Sequence, residues 1–333
     1  MMTISDPTTR FERAVTLEGN RIRFLNAPSN LAVNQGQTRD VFSDKWNATQ
    51  GLDQEEKLFE TQRAWFLRLY GFETEESLRN YLQNARTIVD TGCGLGYKAA
   101  WLAELAPHAC VMGIDLSDSV HIAARRYAGV PNLFFLQADI ADTGLRTGSC
   151  DVVVCDQVIM HTEDPERTFV HLADITSAEG EFLCYFYRRK ALPRELVDDH
   201  FRSHTHGVDA EAMWEFSAQL TELGKRLSEL NVSFECPDIP MLGIQGGTYD
   251  IQRFIYWNFL KCFWRPDWGF ELSKITNFDW YAPSNARRFS REEVDEIAGR
   301  AHMVPMFFHG EEACYSGRFR HAMSGPKQSS ANQ

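Results

Sequence analysis

The chain has 333 residues, of which 44% are hydrophobic, and this is enough apolar material for one large core or for a core with a smaller cap. Its formal net charge is −12 at pH 7 and its pI is about 5.3, so its surface repels phosphate backbones and argues against DNA or bulk RNA as a substrate. No apolar run approaches the roughly twenty residues of a membrane-spanning helix, and the N-terminus has no apolar signal-peptide core. We therefore expect a cytoplasmic protein that binds neither nucleic acid nor membrane.

The 8 cysteines are scattered along the chain, and none forms a C-x-x-C pair. Most lie in apolar strand or helix contexts, which is typical of reduced thiols in a core. His204 and His206 are one residue apart but have no second pair of ligands nearby in the sequence. We therefore expect no metal site.

The first segment, 1–66, is predicted to form an N-terminal arm and helix. The stretch LEGNRIRFL at 17–25 indicates a short hairpin. Phe42 and Trp46 follow, four residues apart on a predicted helix face. Two interpretations of these aromatic residues stay open: they pack the arm onto the core, or they cover a ligand pocket.

The stretch TIVDTGCGLG at 87–96 organises the rest of the chain. An apolar strand ends in the acidic residue Asp90, and glycines follow on alternate positions, at Gly92, Gly94 and Gly96. The glycines lack the Cβ atoms that would keep a ligand from the backbone. In an open α/β sheet, such a strand–turn–helix forms one wall of the ligand crevice at the carboxyl ends of the strands. A tight βα turn without a ligand is the alternative interpretation of this turn taken alone.

Two further strands end in acidic residues. CVMGIDL ends near Asp115, roughly twenty residues beyond the glycines, where a carboxylate can accept hydrogen bonds from ribose hydroxyls. LFFLQADI contains Asp139, and CDVVVCDQVIMH follows as a fourth strand. Together with the acid that precedes the glycines, this pattern resembles motif I and its neighbours in the class I S-adenosylmethionine (SAM)-dependent methyltransferases. The resemblance covers 87–190 well, with one departure: Glu179-Gly180 stands where the family often has Gly-Gly.

The resemblance implies an α/β fold: a Rossmann-like, doubly wound sheet of seven strands whose last strand is antiparallel. It also implies SAM as the cofactor, with S-adenosylhomocysteine as the product. The expected cofactor-binding residues are Asp90, Gly92, Cys93, Gly94, Gly96, Asp115, Leu116, Asp139, Ile140 and Asp156.

The SAM-binding core is predicted to span 67–190. About 115 residues then separate its fifth strand from the last two strands, and a structureless loop of that length is improbable. We therefore predict a mostly helical cap insertion at 191–285, after which the core resumes at 286–323 with a helix and the last two strands. The polar segment 324–333 is predicted to be a disordered tail.

The second half of the predicted cap is unusually rich in aromatic residues. Polar side chains mixed among them each need a partner in a pure core, but they suit a pocket with a few convergent polar groups. An aromatic cap core is the alternative interpretation. We expect 277–281 to lie on a loop. The expected substrate-binding residues are Tyr249, Arg253, Tyr256, Trp257, Asn277, Asp279, Trp280 and Tyr281.

His161, at the end of the fourth strand, is the candidate catalytic residue, because an imidazole of ordinary pKa suits a general base. A histidine that only bonds the adjoining loop is the alternative. Residues 198–202 are weaker candidates on a predicted exposed helix face. The basic run at 188–190 indicates either attraction of an acidic substrate or a solvated strand end.

The sequence therefore predicts SAM-dependent methyl transfer to a small soluble metabolite, without identifying the acceptor atom. Three alternatives remain: a dinucleotide oxidoreductase, which the glycine spacing disfavours, a methyltransferase acting on protein or RNA, and a non-catalytic protein of the same fold that binds a partner through the aromatic cap. An interaction surface would leave a large apolar patch exposed, whereas an enzyme cap would close over the crevice. The sequence does not decide between a monomer and a homodimer.

Overall fold

The computed structural model describes residues 6–26, 31–204 and 207–322. Its main feature is a 9-stranded sheet. Numbered in chain order and given in sheet order, the strands are β1 (Val15–Glu18), β2 (Arg21–Phe24), β5 (Leu133–Gln137), β4 (Cys110–Asp115), β3 (Thr87–Thr91), β6 (Cys150–Cys155), β7 (Thr176–Tyr187), β11 (Cys314–His321) and β10 (Met303–Gly310).

The centre of the sheet is parallel and deeply buried. β3 pairs in parallel with β4 and β6, and every residue of β3 and β4 is buried. Strands covered on both faces are apolar throughout rather than alternating, as their sequences show. The chain runs outward from β3 in both directions. Because crossover connections are right-handed, this order places helices on both faces of the sheet. The carboxyl ends of β3, β4 and β6 therefore meet at one edge.

The predicted α/β fold with antiparallel terminal strands is confirmed, since β11 pairs antiparallel with β7 and with β10. The prediction of seven strands falls two short. The predicted N-terminal hairpin exists as β1 and β2, but it extends the sheet, because β2 pairs in parallel with β5 through Arg21–Phe135 and Ile22–Leu136. The hairpin covers an edge that would otherwise be open.

The helices that pack around the sheet begin at recognisable caps. Thr74, Asp164 and Ser290 each accept hydrogen bonds from backbone N–H groups in the first turn of the helix that follows. These helices and those of the arm are α1 (Val33–Thr49), α2 (Glu55–Leu69), α3 (Glu75–Leu82), α4 (Tyr97–Leu105), α5 (Ser119–Arg126), α6 (Pro165–Ile175) and α11 (Arg291–Arg300).

The segment between β7 and α11 forms a separate layer of helices with a small hairpin. Its elements are α7 (Leu192–His204), α8 (Ala210–Glu229), β8 (Ser233–Cys236), β9 (Gly247–Asp250), α9 (Ile251–Asn258) and α10 (Gly269–Tyr281). α8 packs on α10, where Trp214 stacks on Phe278 with ring centroids 3.7 Å apart.

The expectation that 277–281 forms a loop is wrong, because these residues belong to α10. Side chains on several faces of α10 are buried, so its sequence lacks the apolar–polar alternation of an ordinary surface helix. The predicted disordered tail at 324–333 lies outside the described residues.

Candidate active site

The glycine-rich turn between β3 and α4 depends on backbone conformations that favour glycine. Gly92 has φ 75° and Gly94 has φ 53°. A Cβ atom on Gly92 would lie 2.3 Å from the side chain of Val158, and one on Gly94 would lie 2.7 Å from the ring of Trp46. The turn is therefore closed in from two sides, by the loop after β6 and by α1 of the arm.

Asp115, at the end of β4, faces this turn. One carboxyl oxygen accepts from the backbone N–H of Gly94 at 2.7 Å. The other accepts from the backbone N–H of Ser117 at 2.8 Å and from its hydroxyl at 2.6 Å. An ionised carboxylate has about four acceptor positions. About one position therefore remains for a ligand.

A buried charge cluster lies beneath the turn. Lys98 donates to Asp156 at 2.7 Å and lies 3.9 Å from Asp90, while the hydroxyl of Tyr70 donates to Asp156 at 3.1 Å. Both carboxyl oxygens of Asp90 lack a hydrogen-bond partner among the described residues. Burial raises the pKa of Asp90 to about 6, although the ammonium of Lys98 opposes that rise.

These elements enclose a cavity that we call the motif cavity. Of the ten predicted cofactor-binding residues, seven line it: Gly92, Cys93, Asp115, Leu116, Asp139, Ile140 and Asp156. The other three support the wall from behind. Asp90 is fully buried, Gly94 is covered by Trp46, and Gly96 allows α4 to approach Ala123 and Phe135.

The arm closes one side of the motif cavity. Six residues of α1 line it: Gln35, Thr38, Arg39, Phe42, Lys45 and Trp46. Of the two interpretations of Phe42 and Trp46, the structure supports a cover over a pocket. Their spacing on one helix face indicated them in the sequence, whereas nothing there indicated Lys45, Lys98 or Gln62.

His161 lies in a short 3-10 turn, Ile159–His161, and lines the motif cavity. Its Nδ1 lies 2.7 Å from the carbonyl oxygen of Asn285, and its ring meets Phe42 and Tyr187 edge-on. Burial lowers its pKa to about 4, so the expectation of an ordinary pKa is wrong. The neutral imidazole donates from Nδ1 to this carbonyl, which leaves Nε2 as an acceptor.

A second cavity, the cap cavity, lies between the sheet and the cap. It is lined mainly by aromatic side chains from α2, β7, α9 and α10, together with Lys190, Arg194, Lys261 and Asp279. It shares four lining residues with the motif cavity: Lys45, Trp46, Gln62 and Gln157. Gln157 has φ 65°, unusual for a residue other than glycine, and this conformation places it at the boundary between the two cavities.

Half of the predicted substrate-binding residues line the cap cavity: Tyr256, Trp257, Asp279 and Trp280. The other four do not: Tyr249, Arg253, Asn277 and Tyr281. Asn277 accepts from the backbone of Phe263 and donates to Thr221, so its amide holds the cap together. The hydroxyl of Tyr281 accepts from the backbone N–H of Lys261. The polar groups of Tyr249, Asn277 and Tyr281 thus find their partners inside the cap, and the guanidinium of Arg253 lies over the rings of Tyr256 and Phe263.

The weaker candidates, at 198–202 and 188–190, also differ in where the structure places them. Asp198 is fully buried in an ion pair with Arg194, which contradicts the predicted exposed face for this residue, whereas Asp199 and His200 are exposed as predicted. From the basic run at 188–190, the ammonium of Lys190 reaches the cap cavity and donates to the carbonyl oxygens of Arg188, Glu312 and Ala313. Among the described residues, no group of three or more His, Cys, Asp and Glu could hold a metal ion, and no helix is long and apolar enough to cross a membrane.

Comparison with known proteins agrees with this geometry. Residues 89–184 match the family model of a methyltransferase domain. The matched segment contains the glycine-rich turn, Asp115 and Asp139. SAM is the cofactor that the sequence predicts.

The curated relatives are each similar to only part of this chain. A probable SAM-dependent methyltransferase of Mycobacterium tuberculosis is 32% identical over 29% of this chain and 34% of that protein. Trans-aconitate 2-methyltransferase of Escherichia coli is 27% identical over 40% of this chain and 48% of that protein. The matched part of the chain thus spans less than half the length of these curated relatives. Among solved structures, magnesium protoporphyrin IX methyltransferase of Synechocystis shares 15% identity, with a TM-score of 0.46 over 87% of this chain and 100% of that chain.

Proposed function

We propose that the chain transfers a methyl group from SAM, bound in the motif cavity, to a small molecule held in the cap cavity. The observation that carries this proposal is the shared wall: Lys45, Trp46 and Gln157 line both cavities. A donor and an acceptor must lie side by side for in-line transfer, and two adjoining cavities provide that arrangement.

The residues of the motif cavity fit SAM. The glycine turn keeps side chains away from a bound ligand, and Asp115 retains an acceptor position for a ribose hydroxyl. Asp139, half-buried at the same edge, can accept from the adenine amine. When bound, SAM supplies a methyl group activated on a sulfonium. Trp46 and the rest of α1 exclude water from this side of the cavity.

His161 is proposed to contact the acceptor side of the motif cavity. Its imidazole is neutral at physiological pH because its pKa is about 4. A base this weak suits an acceptor that is already ionised or readily loses its proton.

The enclosed cap favours a small acceptor over the alternatives. Among the described cap residues, the exposed large apolar side chains are aliphatic, including Leu196, Leu223 and Met241. No aromatic residue of the described cap is among these exposed side chains, so partner binding through an exposed aromatic surface gains no support. A relative named for the small acceptor trans-aconitate also supports this proposal.

Parallel calorimetric titrations with SAM, S-adenosylhomocysteine and NADH test the proposal. We expect micromolar binding of the two sulfur nucleotides and none of NADH. Binding of NADH alone would assign the motif cavity to a dinucleotide. Absence of binding by all three would favour a non-catalytic role.

A further inference from the structure

We propose that the acceptor carries a single carboxylate that binds Lys261, with a flat apolar body lying against the aromatic wall of the cap cavity. This inference rests on the proposed function, because it takes the cap cavity as the acceptor site. It assigns the chemical class of the acceptor and the residue that selects it.

Lys261 is a buried cation that lines the cavity, and its ammonium has no hydrogen-bond partner among the described residues. Its residue is only 5% exposed. In the described part of the chain, the nearest carboxylate oxygen to Nζ belongs to Asp279 at 3.8 Å, which is beyond hydrogen-bonding distance. Nζ also lies 4.5 Å from the ring centroid of Trp280. A buried ammonium without an acceptor is costly, and a ligand anion would relieve that cost.

The other cations of the cavity wall already make hydrogen bonds with their side chains. Lys45 donates to Asp279 at 2.7 Å. Arg194 is paired with Asp198 at 2.9 Å. Lys190 donates to three backbone carbonyls. Of the described cations of this wall, Lys261 is therefore the one whose side chain makes no hydrogen bond, so all of its donors are free to meet a ligand.

The charge balance favours a carboxylate over a phosphate. Asp279 lies between Lys45 and Lys261 and neutralises one of the two ammonium groups. One positive charge of this pair remains, which matches one carboxylate, whereas a dianionic phosphate would be repelled by the neighbouring Asp279. Lys190, also in this wall, has no carboxylate partner among the described residues, but its three donors are taken by backbone carbonyls and burial lowers its pKa to about 7. The indole N–H groups of Trp268 and Trp280, which belong to the same wall, also lack acceptors among the described residues. This wall is thus rich in hydrogen-bond donors.

The body of the acceptor is defined by the surrounding rings. Trp257, Trp280 and Tyr256 line the cavity beside Lys261. Aromatic faces bind planar apolar groups by stacking, and the planar group also completes the burial of the ammonium. An aromatic or otherwise planar carboxylic acid satisfies both features.

The test compares carboxylates with neutral amides of the same shape on the protein loaded with S-adenosylhomocysteine. The pairs are benzoate with benzamide and indole-3-acetate with indole-3-acetamide, and phenyl phosphate serves as the dianion. Binding is measured by calorimetry and by the shift in thermal unfolding. We expect at least one carboxylate to bind 10-fold or more tightly than its amide and more tightly than phenyl phosphate.

Three variants test whether Lys261 is the residue that binds the carboxylate. Lys261→Met should abolish the preference for carboxylate over amide, while Lys261→Arg should retain most of it. Lys225→Met is the matched control, because Lys225 also lies over a tryptophan of the cap, Trp264, but does not line the cavity. It should bind like wild type. Normal S-adenosylhomocysteine binding in each variant shows that the fold is intact.

The outcomes separate this inference from the proposed function. If the wild-type protein does not bind S-adenosylhomocysteine, both the proposed function and the carboxylate assignment are overturned. Three results obtained with normal S-adenosylhomocysteine binding would overturn only the carboxylate assignment. These are equal affinity for acids and amides, no binding of any carboxylate, and tighter binding of phenyl phosphate than of the carboxylates. A preference that survives Lys261→Met would remove Lys261 from the role.

Discussion

The two cavities share a wall but are built in different ways. The motif cavity is formed largely by the carboxyl ends of β3, β4 and β6 and by backbone turns within 87–161. The cap cavity is formed by side chains of elements that are far apart in the sequence, from α1 to α10. A backbone-built site constrains residues at fixed spacing, whereas a site built from side chains constrains only their final positions. The first type recurs across a family, and the second can change with the acceptor.

The largest effect should follow a change in the backbone-built cavity. Gly92→Ala combines an unfavourable φ with a Cβ that would lie 2.3 Å from Val158. We expect SAM affinity to fall by about 100-fold or more, since strain of about 1–3 kcal/mol is joined by displacement of the turn. Calorimetric titration with SAM measures this loss.

Gly148→Ala is the control for that variant. Gly148 has φ 66°, and no described atom lies within 4 Å of the position that a Cβ would take there, so the substitution adds backbone strain without a collision. It should lower stability by about 1 kcal/mol and leave SAM affinity unchanged. Equal SAM affinity in the two variants would show that the turn does not need a glycine at Gly92.

Asp115→Ala should have the next largest effect. With about one acceptor position free, the lost hydrogen bond to a charged group is worth about 1–3 kcal/mol, or roughly 10- to 100-fold in SAM affinity. Asp118→Ala is a nearby control, because Asp118 is exposed and bonds Gln137. Unchanged SAM binding by Asp115→Ala would remove this residue from the ribose site.

The contrast between the cavities also explains what the sequence could predict. Alternate glycines and acids at strand ends are local patterns, so Gly92 and Asp115 could be placed from spacing, and Asp139 from the resemblance to a known family. In the cap, composition indicated a pocket, but the same mixture of rings and polar groups also builds the cap interior around Asn277 and Tyr281. Helix packing determines which of these side chains face the cavity. No local sequence pattern indicates that packing.

Contacts between residues far apart in the sequence were the other feature that could not be predicted. The sheet has two strands more than predicted because β2 pairs with β5, which lies more than a hundred residues away in the sequence. The hairpin sequence alone does not indicate this pairing. Lys45 meets Asp279, and its position on α1 carries no sign of that contact. Such pairs form only when the arm and the cap meet over the sheet.

A smaller effect should appear in the stability of the SAM-free protein. Burial raises the pKa of Asp90 to about 6. The folded state therefore binds this proton more tightly than the unfolded state, and its stability falls as pH rises from about 4 to about 6. Asp90→Asn should raise the free energy of unfolding at pH 8 by about 2 kcal/mol and much less at pH 4.

Urea unfolding of wild type and Asp90→Asn at both pH values measures this difference. Lys98 keeps its partner Asp156 in the variant, so the buried ammonium is not left unpaired. A variant that is less stable than wild type at pH 8 would show that the ion contact with Lys98 outweighs the burial of Asp90.

The smallest effect should follow substitution of His161, which lines the motif cavity. With a pKa lowered to about 4 by burial, the imidazole is neutral throughout pH 5.5–8, and only below that range would protonation remove a base. We expect turnover in wild type to show no inflection near pH 6.5, and His161→Asn to lower turnover by roughly 10-fold with little change in SAM affinity. An inflection near pH 6.5 that disappears in the variant would mean that bound acceptor restores an ordinary pKa. Unchanged turnover would leave His161 only its structural bond to Asn285, and the acceptor would then reach the methyl group without help from a base.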